Sequence, residues 1–117
     1  IGAFVADARA LVMPSRHPEP FALVIAEAAT SGLPVLVADT ALMAAEITEA
    51  GLGFAVDVFD PDSFDAALSR IDAAPAAEIR AMSETGFSRT PPLGTTPEGW
   101  IDGLEAAFDR ARAAATA

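Results

Sequence analysis

Short apolar runs alternate with helix-type patterns along most of the chain. Three runs of strand length, residues 10–13, 34–38 and 53–56, are almost wholly apolar, and each is followed directly by a proline or an aspartate. Continuous apolar runs of this length are typical of strands that are buried on both faces of a parallel sheet. The pattern therefore predicts three such strands, separated by helices.

Helix signals fill the intervals between these runs. Pro20 suits the first turn of a helix that continues to Ser31, and Gly32 supplies its stop. Asp60 followed by Pro61 is a further start signal, because aspartate caps a helix and proline is tolerated in its first turn. The predicted helices are residues 1–8, 20–31, 42–49, 61–71, 76–84 and 98–115.

Strands that alternate with helices form parallel crossovers. We therefore expect an α/β fold, a Rossmann-like parallel sheet with helices on both faces, followed by a C-terminal helix. Ligands of such folds bind beyond the carboxyl ends of the strands, which here means residues 14–22, 39–42 and 57–60, called the carboxyl-edge loops below. The Pro/Gly-rich residues 88–97 predict a strap and a boundary, giving units 1–87 and 88–117.

Composition narrows the classes of function. The 117 residues carry 7 basic side chains, all arginine, against 17 acidic ones, a net charge of −10 that argues against a nucleic-acid partner. The lack of cysteine excludes a disulfide scaffold and a thiolate metal site, and the single histidine, His17, cannot form a multi-histidine metal site. The most apolar stretch, residues 21–38, is interrupted by Glu27 and Pro34, so we expect no transmembrane segment.

Two glutamates are the candidates for chemistry: Glu19, just before the predicted helix 20–31, and Glu27, inside it. If both were helical, the eight residues from Glu19 to Glu27 would span a rotation of about 80° and a rise of about 12 Å. That separation is too large for an acid/base pair acting on one bond, but it suits an extended ligand with hydroxyl groups at each end. Between them, free amides at Phe21, Ala22 and Leu23 favour a phosphate. A sugar nucleotide has this layout of hydroxyl, phosphate and hydroxyl groups. The structural alternatives are that Glu19 only interacts with the helix dipole and that Glu27 only faces solvent.

The run from Met13 to Ala28, followed by Ser31-Gly32-Leu33-Pro34-Val35, resembles the donor-binding domain of GT-B glycosyltransferases. The closest resemblance is to the retaining family 4 type, the group 1 glycosyl transferases, whose E-x7-E motif corresponds to Glu19 and Glu27. The similarity continues through Asp39, Glu46-Ile47, Gly51-Leu52-Gly53-Phe54 and Asp60-Pro61.

The resemblance implies a donor-binding unit in residues 1–87 that is incomplete at its N-terminus, with an acceptor domain upstream. It implies that Glu19, as the catalytic-side residue, accepts from the donor sugar's hydroxyls and that Glu27 binds the ribose. The amides of Phe21, Ala22 and Leu23 would meet the sugar and diphosphate, and Arg16 could replace the family's upstream diphosphate cations or be a solvent-exposed arginine. No metal or other cofactor is expected, and Asp60-Pro61-Asp62 is interpreted as a helix start.

The sequence also departs from the family's pattern. Ala22 replaces a glycine, and Thr40-Ala41-Leu42-Met43 replaces a small Gly-Gly loop. Asp39 suits a cap or a ligand contact equally, and His17 is interpreted as a loop residue. The remaining alternatives are a non-catalytic GT-B-derived binding or interaction module and a flavodoxin-like receiver domain. The expected location is cytoplasmic, with peripheral attachment of the full-length enzyme to the inner membrane left open, and we expect the isolated chain to be inactive.

Overall fold

Three parallel strands in the order β1-β2-β3 organise the chain. The computed structural model describes residues 5–89, 93 and 95–115. Its strands are β1 (Leu11–Met13), β2 (Val35–Ala38) and β3 (Gly53–Val56). Its helices are α1 (Leu23–Thr30), α2 (Ala44–Glu49), α3 (Pro61–Ala73), α4 (Ala76–Ser88) and α5 (Pro97–Ala115). The predicted α/β parallel fold is confirmed.

The sheet is covered on both faces, because successive side chains of β2 point in opposite directions. On one face Val35 and Val37 join a core with Ile25 of α1 and Ile47 of α2. On the other face the core contains Leu36, Ala38, Val56 and Val58, and Phe64 and Leu68 of α3 pack against it. The fully buried β2 is therefore the centre of the fold.

Glycines follow both α1 and α2, and the stop at Gly32 was predicted from the sequence. Gly32 and Gly51 have φ values of 79° and 66°, a left-handed conformation that glycine adopts without steric cost. At the end of α1, the Gly32 N–H donates to Ala29 O at 3.0 Å and the Leu33 N–H to Ala28 O at 2.9 Å. This pair of bonds is a Schellman motif, which satisfies the last carbonyls of the helix.

The start of α1 differs from the prediction, since the helix begins at Leu23 and not at Pro20. A helix beginning at Pro20 would use the carbonyl of Glu19 to accept from the Leu23 N–H. In the structure that carbonyl instead accepts from the Leu42 N–H at 3.2 Å, and Ala22 is extended, with ψ 95°. A tertiary hydrogen bond thus takes the acceptor that the longer helix would need.

The burial on both faces that was predicted for the first strand was wrong in part. Val12 of β1 is 38% exposed. It pairs with Leu36 and therefore lies on the sheet face that α3 covers. Helix α3 covers that face over β2 and β3 and does not reach β1. In α1, Ile25 and Ala29 are buried, while Leu23 is 65% exposed. The first turn of α1 lies at the carboxyl edge, where no layer of the described chain covers it.

The remaining boundaries shift by a few residues. α3 extends to Ala73 and α4 to Ser88, while α2 starts at Ala44. Residues 1–4 of the first predicted helix lie outside the described residues, and after Val5 the chain turns, so that helix does not reach Ala8. The arginine that follows, Arg9, donates to the carbonyls of Ile71, at 2.8 Å, and Ala74, near the end of α3.

Helix α4 packs closely on α1 through a glycine. A Cβ atom placed on Gly86 would lie 2.3 Å from Ala29 O, closer than real Cβ atoms approach a backbone oxygen. The Arg89 guanidinium beyond the end of α4 lies 2.8 Å from the Glu46 carboxylate of α2, and Leu93 is buried in the same core. Residues 90–92 and 94 of the predicted strap lie outside the described residues.

Every described residue of α5 is exposed. Its apolar side chains recur at helical spacing, as predicted, and include Trp100, Ile101, Leu104 and Phe108. This apolar face is therefore not packed in the core of the described chain. No helix of the described ranges is long and apolar enough to cross a membrane.

Candidate functional site

The three carboxyl-edge loops converge, as the parallel topology requires. The Leu42 N–H of the second loop donates to the Glu19 carbonyl of the first. The Arg16 guanidinium of the first loop lies 5.7 Å from the centre of the Phe59 ring in the third. One candidate site is therefore assembled from three separate segments of the sequence.

Glu19 lies in the loop before α1 and is partly buried. Its Oε1 accepts a hydrogen bond from Ser15 Oγ at 3.0 Å, and its carbonyl is held by Leu42. Glu19 is not helical, because α1 begins only at Leu23. The rotation and rise calculated for two helical glutamates therefore do not apply to Glu19 and Glu27. Both the backbone and the side chain of Glu19 are anchored, and a carboxylate keeps further lone pairs for a ligand.

Glu27 lies in the middle of α1 and is exposed. It is two residues from the buried Ile25, a rotation of about 200°, so it lies opposite the packed face. Leu23 is four residues before Glu27 and shares its side of the helix. The structure therefore places a carboxylate and an exposed apolar side chain on one open face of α1.

The three predicted amides lie at the junction between the first carboxyl-edge loop and α1. Leu23 is the first helical residue, whereas Ala22 is the N-cap and Phe21 precedes it. The first intrahelical bond is donated by Ile25 to Ala22 O at 2.9 Å. The amides of the first helical turn belong to Leu23 and Val24, so the expected set is displaced by up to two residues along the chain. Ala22, the position at which the family has glycine, is 7% exposed.

Arg16 is the only arginine in the three carboxyl-edge loops. Its position over Phe59 is a cation–π contact that lies near the ends of β1 and β3. The ring of Phe59 is itself exposed. Sequence reasoning singled out Arg16 but missed Phe59, since 43 residues separate the two and the pairing depends on the sheet order.

The hydrogen bonds of Ser15 were also missed, although this serine lies within the quoted motif. Its hydroxyl accepts from the His17 N–H at 3.3 Å and can donate to Glu19 Oε1 or to His17 O, at 3.0 and 3.2 Å. The spacing of serine four residues before glutamate was the available signal.

The structure also shows whether Asp39 and Asp60 cap the helices that follow them. Met43 is the N-cap of α2 and makes no side-chain capping bond, so Asp39 does not cap that helix. Asp60 caps α3, its Oδ1 accepting from the Asp62 N–H at 3.2 Å with Pro61 at the first position. The interpretation of Asp60-Pro61-Asp62 as a helix start is confirmed. In the described part of the chain, no three His, Asp or Glu side chains are grouped so as to hold a metal ion.

Comparison with known proteins gives the class. Residues 1–87 match the family described as glycosyl transferases, group 1. Because the match covers most of the chain, the protein belongs to this family. No curated protein and no solved structure matches the chain.

Proposed function

We propose that this chain is the donor-binding part of a retaining glycosyltransferase of the GT-B family 4 type. It would bind a nucleotide sugar from which the complete enzyme transfers the sugar to an acceptor. The observation that carries the proposal is the E-x7-E pair. Glu19 is anchored in the first carboxyl-edge loop, and Glu27 lies on the open face of the following helix. Both occur in a chain that belongs to the group 1 glycosyl transferases.

The two carboxylates would divide the ligand between them. Glu19 accepts from hydroxyl groups of the donor sugar beside the reacting carbon, and Glu27 accepts from the ribose hydroxyls. Hydrogen bonds to a charged acceptor contribute about 1.5–3 kcal/mol each. Leu23 lies between them on the same face of α1 as Glu27, so its side chain can cover the sugar rings.

The diphosphate would lie between the two carboxylates. The amides of Phe21, Ala22 and Leu23 are the proposed donors; Phe21 and Ala22 precede the helix, and only Leu23 belongs to its first turn, at the positive end of the helix dipole. Arg16 would add a cation from the loop's other end. The proposal includes no metal or other cofactor, since amides and arginine would balance the phosphate charge.

Chemistry would need a second domain that carries the acceptor and closes over the donor. The proposed partners are therefore the nucleotide sugar and an N-terminal acceptor domain of the same enzyme. The proposed location is cytoplasmic. We expect the 117-residue chain to bind a donor without turning it over.

The test is a calorimetric titration of the chain with UDP-sugars and GDP-sugars. We expect saturable binding of one of them and an affinity about 10- to 100-fold lower for Glu27→Ala. Glu49→Ala is the matched control, because Glu49 is an exposed helical glutamate on α2, outside the carboxyl-edge loops. Unchanged affinity of Glu27→Ala would remove the donor assignment.

One observation favours the alternative, a non-catalytic binding or interaction module derived from the same fold. The amide of Leu42, in the loop where the family has Gly-Gly, is already bonded to the Glu19 carbonyl. It is therefore not available to an anion. A complete absence of saturable binding with either class of nucleotide sugar would favour this alternative.

A further inference from the structure

The hydroxyl of Ser15 is the centre of a small hydrogen-bonded loop. It accepts from the His17 N–H at 3.3 Å and lies 3.0 Å from Glu19 Oε1 and 3.2 Å from His17 O. A serine hydroxyl has one proton to donate, so these two acceptors compete for it. The carboxylate is both the nearer and the charged acceptor, and charge-assisted bonds are the stronger ones.

The loop backbone supports this contact. Pro14, Pro18 and Pro20 restrict the backbone around it, and the Leu42 N–H holds the Glu19 carbonyl. With the main chain restrained, the Glu19 side-chain torsions are the freedom that remains, and the bond from Ser15 removes part of it. A glutamate that is fixed before the ligand arrives loses less rotamer entropy on binding.

We propose that Ser15 is a positioning residue for Glu19, orienting its carboxylate toward the hydroxyl groups of the donor sugar. This inference rests on the proposed donor-binding function. Ser15 acts through Glu19 and so affects the sugar and not the nucleotide. The contact uses Oε1, and Oε2 is the oxygen that would accept from the sugar hydroxyl groups.

The test measures two affinities for each variant of the 117-residue chain. Calorimetry gives the affinity for a nucleotide sugar, UDP-glucose or GDP-mannose, and for the corresponding UDP or GDP alone. Ser15→Ala should weaken nucleotide-sugar binding about three- to tenfold, the range of one net hydrogen bond. It should leave nucleotide binding unchanged, and Ser15→Thr, which keeps the hydroxyl, should restore sugar binding to within about twofold.

A double-mutant cycle separates positioning from a merely structural role. If Ser15 acts through Glu19, then Ser15→Ala adds no further loss to Glu19→Ala. Ser69→Ala, an exposed serine on α3, is the control and should change neither affinity. Equal losses for sugar and nucleotide, or additive losses in the cycle, would overturn the positioning role while the proposed function stands. A wild-type chain that binds neither nucleotide sugars nor nucleotides would overturn both.

Discussion

Helices α2 and α5 show how similar apolar patterns lead to different structures. Both carry apolar residues at helical spacing, yet Ile47 of α2 is 0% exposed and Leu104 of α5 is 41% exposed. Helix α2 lies between β2 and β3 in the chain, and its apolar side joins the core of the sheet. Helix α5 follows the strap, and all its described residues are exposed.

The difference separates two properties that a sequence pattern combines. The spacing of apolar residues indicates that a helix forms and which side of it is apolar. Burial depends in addition on a partner surface, which the sheet supplies to α2 and no described part of the chain supplies to α5. The stability of the chain should therefore respond to substitutions in α2 and not to equivalent ones in α5.

Truncation of one apolar side chain in each helix should change the free energy of unfolding strongly in α2 and hardly at all in α5. Ile47→Ala leaves a cavity in a closely packed core and should lower the free energy of unfolding by about 2–5 kcal/mol. Leu104→Ala should change it by less than about 0.5 kcal/mol. Urea denaturation followed by circular dichroism measures both. Similar losses at the two sites would mean that α5 packs on the body of the protein in solution.

Local chemistry explains why parts of the fold were predictable. Gly32 and Gly51 end their helices through backbone conformations that depend on a few adjacent residues, and Asp60 caps α3 through its near neighbour Asp62. These signals lie within one turn of the feature that they determine. The start of α3 at Pro61 was predicted at the observed residue for this reason, and strand 53–56 was predicted at its observed residues from its own apolar run.

The start of α1 and the arrangement of the site depend on contacts that are distant in sequence. Leu42 competes for the Glu19 carbonyl across 23 residues. Arg16 meets Phe59 because the loops after β1 and β3 lie at the same edge of one parallel sheet. Topology alone placed Glu19 in a carboxyl-edge loop. The contact from Ser15 depends on a side-chain rotamer, which a spacing pattern does not specify. The roles assigned to Glu19 and Glu27 remain predictions.

Alanine substitution at one glycine of α4 and one glycine of α5 should have different effects. Gly86→Ala places a methyl group 2.3 Å from Ala29 O, so α1 and α4 must separate and stability should fall by about 1–3 kcal/mol. A Cβ atom on Gly103 of α5 meets nothing within 4 Å. Gly103→Ala should therefore raise helix content, since alanine favours a helix interior by about 0.5–1 kcal/mol over glycine.

Circular dichroism and urea denaturation of both variants measure these two changes. The denaturation midpoint should fall for Gly86→Ala and stay constant for Gly103→Ala, whose gain appears only as a stronger helical signal. A lower midpoint for Gly103→Ala would show that α5 has a close neighbour at that position. A neutral Gly86→Ala would show that α1 and α4 can separate without loss.

Removal of the capping side chain of α3, a helix that packs on the sheet, should lower the free energy of unfolding less than the changes at Ile47 and Gly86. Asp60→Ala removes the side chain that accepts from the Asp62 N–H and should destabilise the chain by about 1 kcal/mol, the usual value of an N-cap. Asp65→Ala is the matched control, because it removes the same charge from an exposed position further along α3 and leaves the cap in place. Its effect should stay within about 0.5 kcal/mol. If the two variants were equally destabilised, the loss would arise from charge and not from capping, and the start of α3 would depend on Pro61 and on packing against β3.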